Sequence, residues 1–151
     1  MFYLVLVLWL VADLGTKWLV SSLMTVGQSI PLIPHVLSIT YILNYGAAFG
    51  LLSYQRPLLL GIVCGLALVI AYYYKAIMHG SWWIKYGTAL VFSGALGNGW
   101  DRLFHRAVVD FIEVPYWPIF NLADIGICLG VVMVMIGFWR LDDKKDEEED
   151  A

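Results

Sequence analysis

Four stretches of the chain stay apolar for close to the about 20 residues that a membrane-spanning helix needs. They cover residues 2–24, 58–76, 86–103 and 122–139, and the chain beyond residue 140 is almost wholly charged. The first stretch holds Asp13 and Lys17 and lacks a basic start and a small-residue cleavage pattern, so it predicts a retained helix rather than a removable signal peptide. Between the first two stretches, Ser38-Ile39-Thr40-Tyr41-Ile42 is β-prone, with Pro31 and Pro34 before it and Gly46 and Gly50 after it. This predicts a short strand in a small sheet on the membrane surface. Pro57 stands where a helix can begin without losing a hydrogen bond. Gly61 with Gly65, and Gly126 with Gly130, are small-xxx-small pairs that predict close helix contact. The expected architecture is an all-α polytopic membrane protein with four transmembrane helices and a small extracytoplasmic β element. Residues 1–140 form one membrane domain, followed by an acidic disordered cytoplasmic tail over 141–151.

Composition agrees. Of the 151 residues, 61% are hydrophobic and 14% charged, against roughly half and a quarter in soluble domains. The net charge of −3 belongs to the tail, where residues 141–151 carry seven acids against two bases. No basic patch suggests nucleic acid. Cys64 and Cys128 lie in apolar runs, where thiols behave as small hydrophobes. Four spans place both termini and the 75–85 connection on one side. Lys75, Lys85, Arg140, Lys144 and Lys145 fall there, against Arg56, Arg102 and Arg106 on the other, so the first side is predicted to be cytoplasmic.

Ionisable groups in or beside spans cost about 2.5–3.5 kcal/mol at a helix centre, so each demands a partner or a function. Asp13 and Lys17, four apart, can neutralise each other on one helix face and support a site at the outer membrane edge. The other polar groups gather at the outer ends of the third and fourth helices: Asn98, Asp101, Arg102, Asp110, Glu113, Asn121 and Asp124. Asp110 is framed by Val108, Val109, Phe111 and Ile112, where a solvated loop would be polar. Two carboxylates at a membrane edge can share one proton, leaving one as base and the other as acid. Such a pair serves an aspartic protease or a proton relay in a small transporter, and spacing does not separate the two. No H-E-x-x-H or G-x-S-x-G sequence offers a zinc or serine alternative, and no cofactor is expected.

Five segments resemble motifs of the lipoprotein signal peptidases (signal peptidase II). They are Asp13 with Thr16 and Lys17; Asn44-Tyr45-Gly46-Ala47-Ala48-Phe49-Gly50; Gly94-Ala95-Leu96-Gly97-Asn98-Gly99-Trp100-Asp101-Arg102; Val108-Val109-Asp110-Phe111-Ile112; and Phe120-Asn121-Leu122-Ala123-Asp124. The resemblance implies a four-helix inner-membrane aspartic endopeptidase that cuts bacterial prolipoproteins before a diacylglyceryl-modified cysteine. It implies Asp110 and Asp124 as the catalytic pair. Asn98, Arg102 and Asn121 would line the site, Asp101 and Asp13 would support it, and the segment from Asn44 to Gly50 would cradle substrate. Leu14 stands where many members carry Gln. The expected partners are lipid-modified prolipoproteins and membrane lipids, with the protein acting as a monomer.

Overall fold

The computed structural model describes residues 1–46, 52 and 55–149, with side chains through 140. The chain runs α1 (Phe2–Leu23), β1 (Ser29–Ile33), β2 (Leu37–Asn44), α2 (Arg56–Tyr72), α3 (Tyr74–His79), α4 (Trp82–Phe104), β3 (Val108–Glu113) and α5 (Leu122–Glu149). α4 is the central helix, lying along α5 and packing also on α1 and α2. Glycines permit the approach. A Cβ on Gly87 would stand 2.7 Å from the Gly130 carbonyl, and one on Gly94 would stand 2.4 Å from the Ala123 carbonyl. Backbones that touch in this way gain dispersion energy in a solvent that supplies little hydrophobic drive.

The expected pairing at Gly126 and Gly130 is present, since Gly126 receives the Trp9 ring and Gly130 meets Gly87. Gly61 and Gly65 differ from expectation: among the described residues, a Cβ built on either would meet no neighbouring element within 4 Å. Gly94→Ala should therefore lower the detergent melting temperature, at the roughly 1–3 kcal/mol typical of overpacking. Gly61→Ala should leave it unchanged or raise it, so thermal unfolding of the two variants checks that the close contact is the one between α4 and α5 and not at Gly61 of α2.

The helices depart from the expected bounds for local reasons. The second stretch breaks at Tyr73, which leaves helical geometry at ψ 10°, so α2 ends at Tyr72 and a short α3 follows. α4 begins at Trp82, four residues before the expected start, because the Ser81 hydroxyl caps it by accepting from the Ile84 amide at 3.4 Å. α5 continues to Glu149, so residues 141–149, expected as a disordered tail, have helical backbone instead. No Gly or Pro follows Gly137, and Lys and Glu favour the helix. Among the described residues, Phe2–Leu23 and Leu122–Arg140 are long and apolar enough to cross a membrane. α2 is apolar but has 17 residues, roughly 26 Å of helix against about 30 Å of hydrocarbon.

The strand expected over 38–42 is β2, the centre of an antiparallel sheet ordered β1-β2-β3. Pro31, expected to bound the strand, lies within β1, an edge position where its missing N–H costs no ladder bond. β3 was not expected as a strand; it returns from far along the sequence to pair Asp110 with Ile42 and Val109 with Leu43. Val20 of α1 clusters with Tyr41, Val109 and Phe111 on one face of the sheet. Successive strand residues alternate in direction, so Asp110 points away from that cluster.

Candidate active site

α5 opens with reciprocal caps. The Asn121 side-chain oxygen accepts from the Asp124 amide at 3.1 Å, and the Asp124 carboxylate accepts from the Asn121 amide at 3.1 Å. This is the geometry of a capping box, written here with Asn and Asp three apart. A third amide of the first turn, Ala123 N–H, donates to Asp13 Oδ1 at 2.8 Å from across the bundle. Helix starts leave such amides unpaired unless side chains take them, so Asp124 is held in place by the requirements of the helix itself.

Asn98, in the last two turns of α4, takes two donors on its Oδ1: Lys17 Nζ at 2.8 Å and Asn121 Nδ2 at 3.0 Å. That orientation turns its Nδ2 to Asp124 Oδ1, at 2.8 Å. Asn121 Nδ2 also donates to Asp110 Oδ1 at 2.7 Å, and Asn44 Nδ2 donates to Asp110 Oδ2 at 2.9 Å. The Asn121 amide thus joins the carboxylate of β3 to the α5 start and to Asn98 of α4.

Beneath this layer Lys17 Nζ lies 2.8 Å from Asp13 and 3.2 Å from Asp101, all three nearly inaccessible to solvent. The expected Asp13–Lys17 pair is therefore one side of a triad. Asp101 also accepts from the Val109 amide at 3.2 Å, so it positions β3 from behind. Gly97 fits beneath the triad; a Cβ there would lie 2.2 Å from Asp13 Oδ2. Arg102 reaches neither acidic group of the pair. Its guanidinium donates to the Gly46 carbonyl at 2.7 Å and the Asn98 carbonyl at 3.2 Å, tying the end of β2 to α4. Asn44 Oδ1 accepts from the Gly46 amide at 2.9 Å, completing that turn. Of the segment expected to cradle substrate, Ala47, Ala48, Phe49 and Gly50 lie outside the described residues.

The two carboxyl groups are housed differently. Asp110 is 2% exposed, whereas Asp124 is half-buried. Burial pushes the Asp110 carboxyl up to about 7; the Asp124 charge adds to this, while the amide bonds from Asn44 and Asn121 and the Lys17 ammonium oppose it. An acid that holds its proton up to about pH 7, beside a second carboxyl group that accepts N–H bonds at a helix N-terminus, can perform acid and base chemistry together. Asp13, Lys17, Asn44, Asn98, Asp101, Arg102, Asp110, Asn121 and Asp124 meet in this one network, whereas Glu113 stands apart and accepts from the Thr40 hydroxyl. Sequence reasoning missed the backbone share, namely the amides of Ala123 and Val109 and the Gly46 carbonyl; the Asn-x-x-Asp spacing was the visible sign of the box.

Comparison with known proteins gives a consistent result. The family model for signal peptidase (SPase) II matches residues 5–140. A lipoprotein signal peptidase of Halothermothrix orenii is 37% identical over 147 residues, covering 97% of this chain and all of the relative. One from Bacillus subtilis is also 37% identical, over 99% of both. Two solved structures described as bacterial membrane enzymes superpose with TM-scores of 0.88 and 0.77, at 31% and 33% identity and over 95% and 91% of this chain. They cover 90% and 91% of those chains. With the match running from α1 to the end of the apolar part of α5, the chain belongs to the signal peptidase II family.

Proposed function

We propose that this protein cleaves lipid-modified prolipoproteins with Asp110 and Asp124 as its catalytic pair, at the outer edge of the bacterial inner membrane. As a member of the signal peptidase II family it is a protease that removes signal peptides from prolipoproteins; the transporter alternative gains no support. The observation that carries the site assignment is Asn121, whose one side chain bonds Asp110 and caps the helix that holds Asp124. α1, α2, α4 and α5 form four spans, with both termini cytoplasmic. The substrate, confined to the bilayer by its own apolar helix and lipid, brings its scissile bond to the interface where water is available. The protein acts as a monomer.

In this reading Asp124 takes a proton from water, whose oxygen attacks the scissile carbonyl carbon, while Asp110 gives its proton to the carbonyl oxygen. The tetrahedral diol then collapses: one hydroxyl proton returns to Asp110, the proton on Asp124 passes to the leaving nitrogen, and the C–N bond breaks. Asn98 and Asn121 keep Asp124 aimed, and Asn44 keeps Asp110 aimed.

Cleavage of a diacylglyceryl-modified precursor by purified protein tests the function. Its pH dependence tests the roles. Because Asp110 acts in its protonated form and loses its proton near 7, kcat/KM should fall as pH rises through about 7. A rate that climbs from about pH 6 to pH 9 would reverse the two roles. Chelation should leave the rate unchanged, since the pair needs no metal.

A further inference from the structure

The connection from β3 to α5 carries a feature that the chemistry does not use. Residues 114–117 form a turn closed by the Trp117 amide donating to the Val114 carbonyl at 3.3 Å. Pro115 takes its second position and Tyr116 its third, where φ is 64°. That left-handed conformation suits Gly or Asn, and a bulky aromatic there is a strained outlier. Both aromatics of the turn face outward: Tyr116 is 106% exposed and Trp117 60%. The segment is also stiff at its root, where the Phe111 and Ile112 amides both donate to the Phe120 carbonyl and the Phe120 amide returns a bond to Ile112.

We infer that this turn is an interfacial anchor that seats in the headgroup layer of the outer leaflet and fixes the depth of Asp110 and Asp124 relative to the bilayer. The inference rests on the four-span reading above, which puts residues 105–121 at the outer membrane edge. Three properties favour lipid over water or a peptide as the occupant. Tyr and Trp pair an apolar body with a polar tip, the combination that settles at membrane interfaces. Residues 114–120 contain no charge, so nothing ionic is desolvated when the turn is lowered. Pro115 and Pro118 have no N–H to leave unpaired, and the Trp117 N–H is used within the turn, which reduces the backbone cost of leaving water. The two ends of the segment lead directly into Asp110 on one side and Asn121 and Asp124 on the other. A depth set at the tip is therefore transmitted to both carboxylates.

The test uses the full chain in nanodiscs of phosphatidylethanolamine and phosphatidylglycerol brominated high on the acyl chains. Subtracting the emission of Trp117→Phe from wild type isolates one of the seven tryptophans. Trp117 emission should be quenched by the bromines and shielded from acrylamide; quenching by acrylamide with none from bromines would overturn the anchor. The second arm pairs Tyr116→Gly, which the left-handed position accommodates, with Trp117→Ser. Cleavage of lipidated precursor should slow roughly tenfold in nanodiscs, since a misplacement of about 1 Å can cost up to 10²-fold, and should be unchanged in detergent, where no fixed plane exists. An equal loss in both media would assign the turn to the precursor peptide, and no loss in either would leave it no role; both overturn the proposal. Failure of wild type to cleave would instead overturn the assignment of the carboxylates, with the quenching result still deciding the anchor.

Discussion

Asp110→Asn and Asp124→Asn should each lower kcat by about 10²- to 10⁴-fold, the range a positioned acid or base contributes, with KM for lipidated precursor little changed. The isosteric amides are the informative variants because both carboxyl groups also serve the fold. Asp124 accepts from Asn98 and from the Asn121 amide, and an asparagine oxygen retains one of those bonds. Alanine would also remove one half of the capping box, leaving the Asn121 backbone amide without its acceptor and mixing folding with chemistry. Asp110 accepts one amide on each oxygen, so Asp110→Asn sets one donor against an NH₂, a local loss that thermal unfolding would register apart from turnover. Combining the two substitutions should cost little more than either one, because an acid without its base completes neither proton transfer. Turnover near wild type in either variant would remove that residue from the pair.

Lys17→Met should be among the most damaging single substitutions to stability in the chain, with a loss of about 3–5 kcal/mol or more in detergent unfolding. The i, i+4 spacing alone suggests a closed Asp13–Lys17 pair, in which either partner removed leaves one stranded charge. The triad changes that expectation. Without Lys17, Asp13 and Asp101 face each other in a site almost closed to solvent, with no cation between them. Without Asp13, Lys17 keeps Asp101, so Asp13→Asn, which can still accept from the Ala123 amide, should be milder than Lys17→Met. Lys17→Met combined with Asp13→Asn should recover part of the loss, giving a favourable coupling energy. Equal damage from both single changes would mean that Asp101 takes no part in holding the ammonium. Activity of any folded Lys17 variant should also fall, because Asn98 loses one of the two donors that orient it toward Asp124.

The chemistry of this chain was more legible in its sequence than its local geometry. An intramembrane carboxylate has few solutions, so Asp13, Asp110 and Asp124 stood out by their place among or beside apolar residues, and their amide neighbours by lying at helix ends, while the choice of a protease over a proton relay came from the motif resemblance. The long helices were legible because apolar length is a strong signal, although Tyr73 and Ser81 shifted two boundaries by local backbone effects that hydropathy does not carry. β3 was not legible. Val-Val-Asp-Phe-Ile is a short apolar run with one charge, and only pairing with a strand far away in sequence makes it extended. Pro31 misled because an edge strand tolerates what a central strand excludes. The third partner of Lys17 was equally hidden, since nothing in the spacing of α1 announces that Asp101 of α4 will lie against it.

The capping box has a kinetic consequence. Asn121 and Asp124 start α5 and also orient the proposed catalytic pair, so fraying of that first turn and loss of the proposed site are a single event. Hydrogen exchange at the Ala123 and Asp124 amides therefore reports the fraction of time the site is assembled, in the resting protein and without substrate. A ligand that binds only the assembled site would slow exchange at both amides together, whereas one that merely lodges among the helices would leave them untouched. Two amide protons thus distinguish engagement of the site from simple partitioning into the protein's lipid shell, a distinction that inhibition assays in detergent do not make.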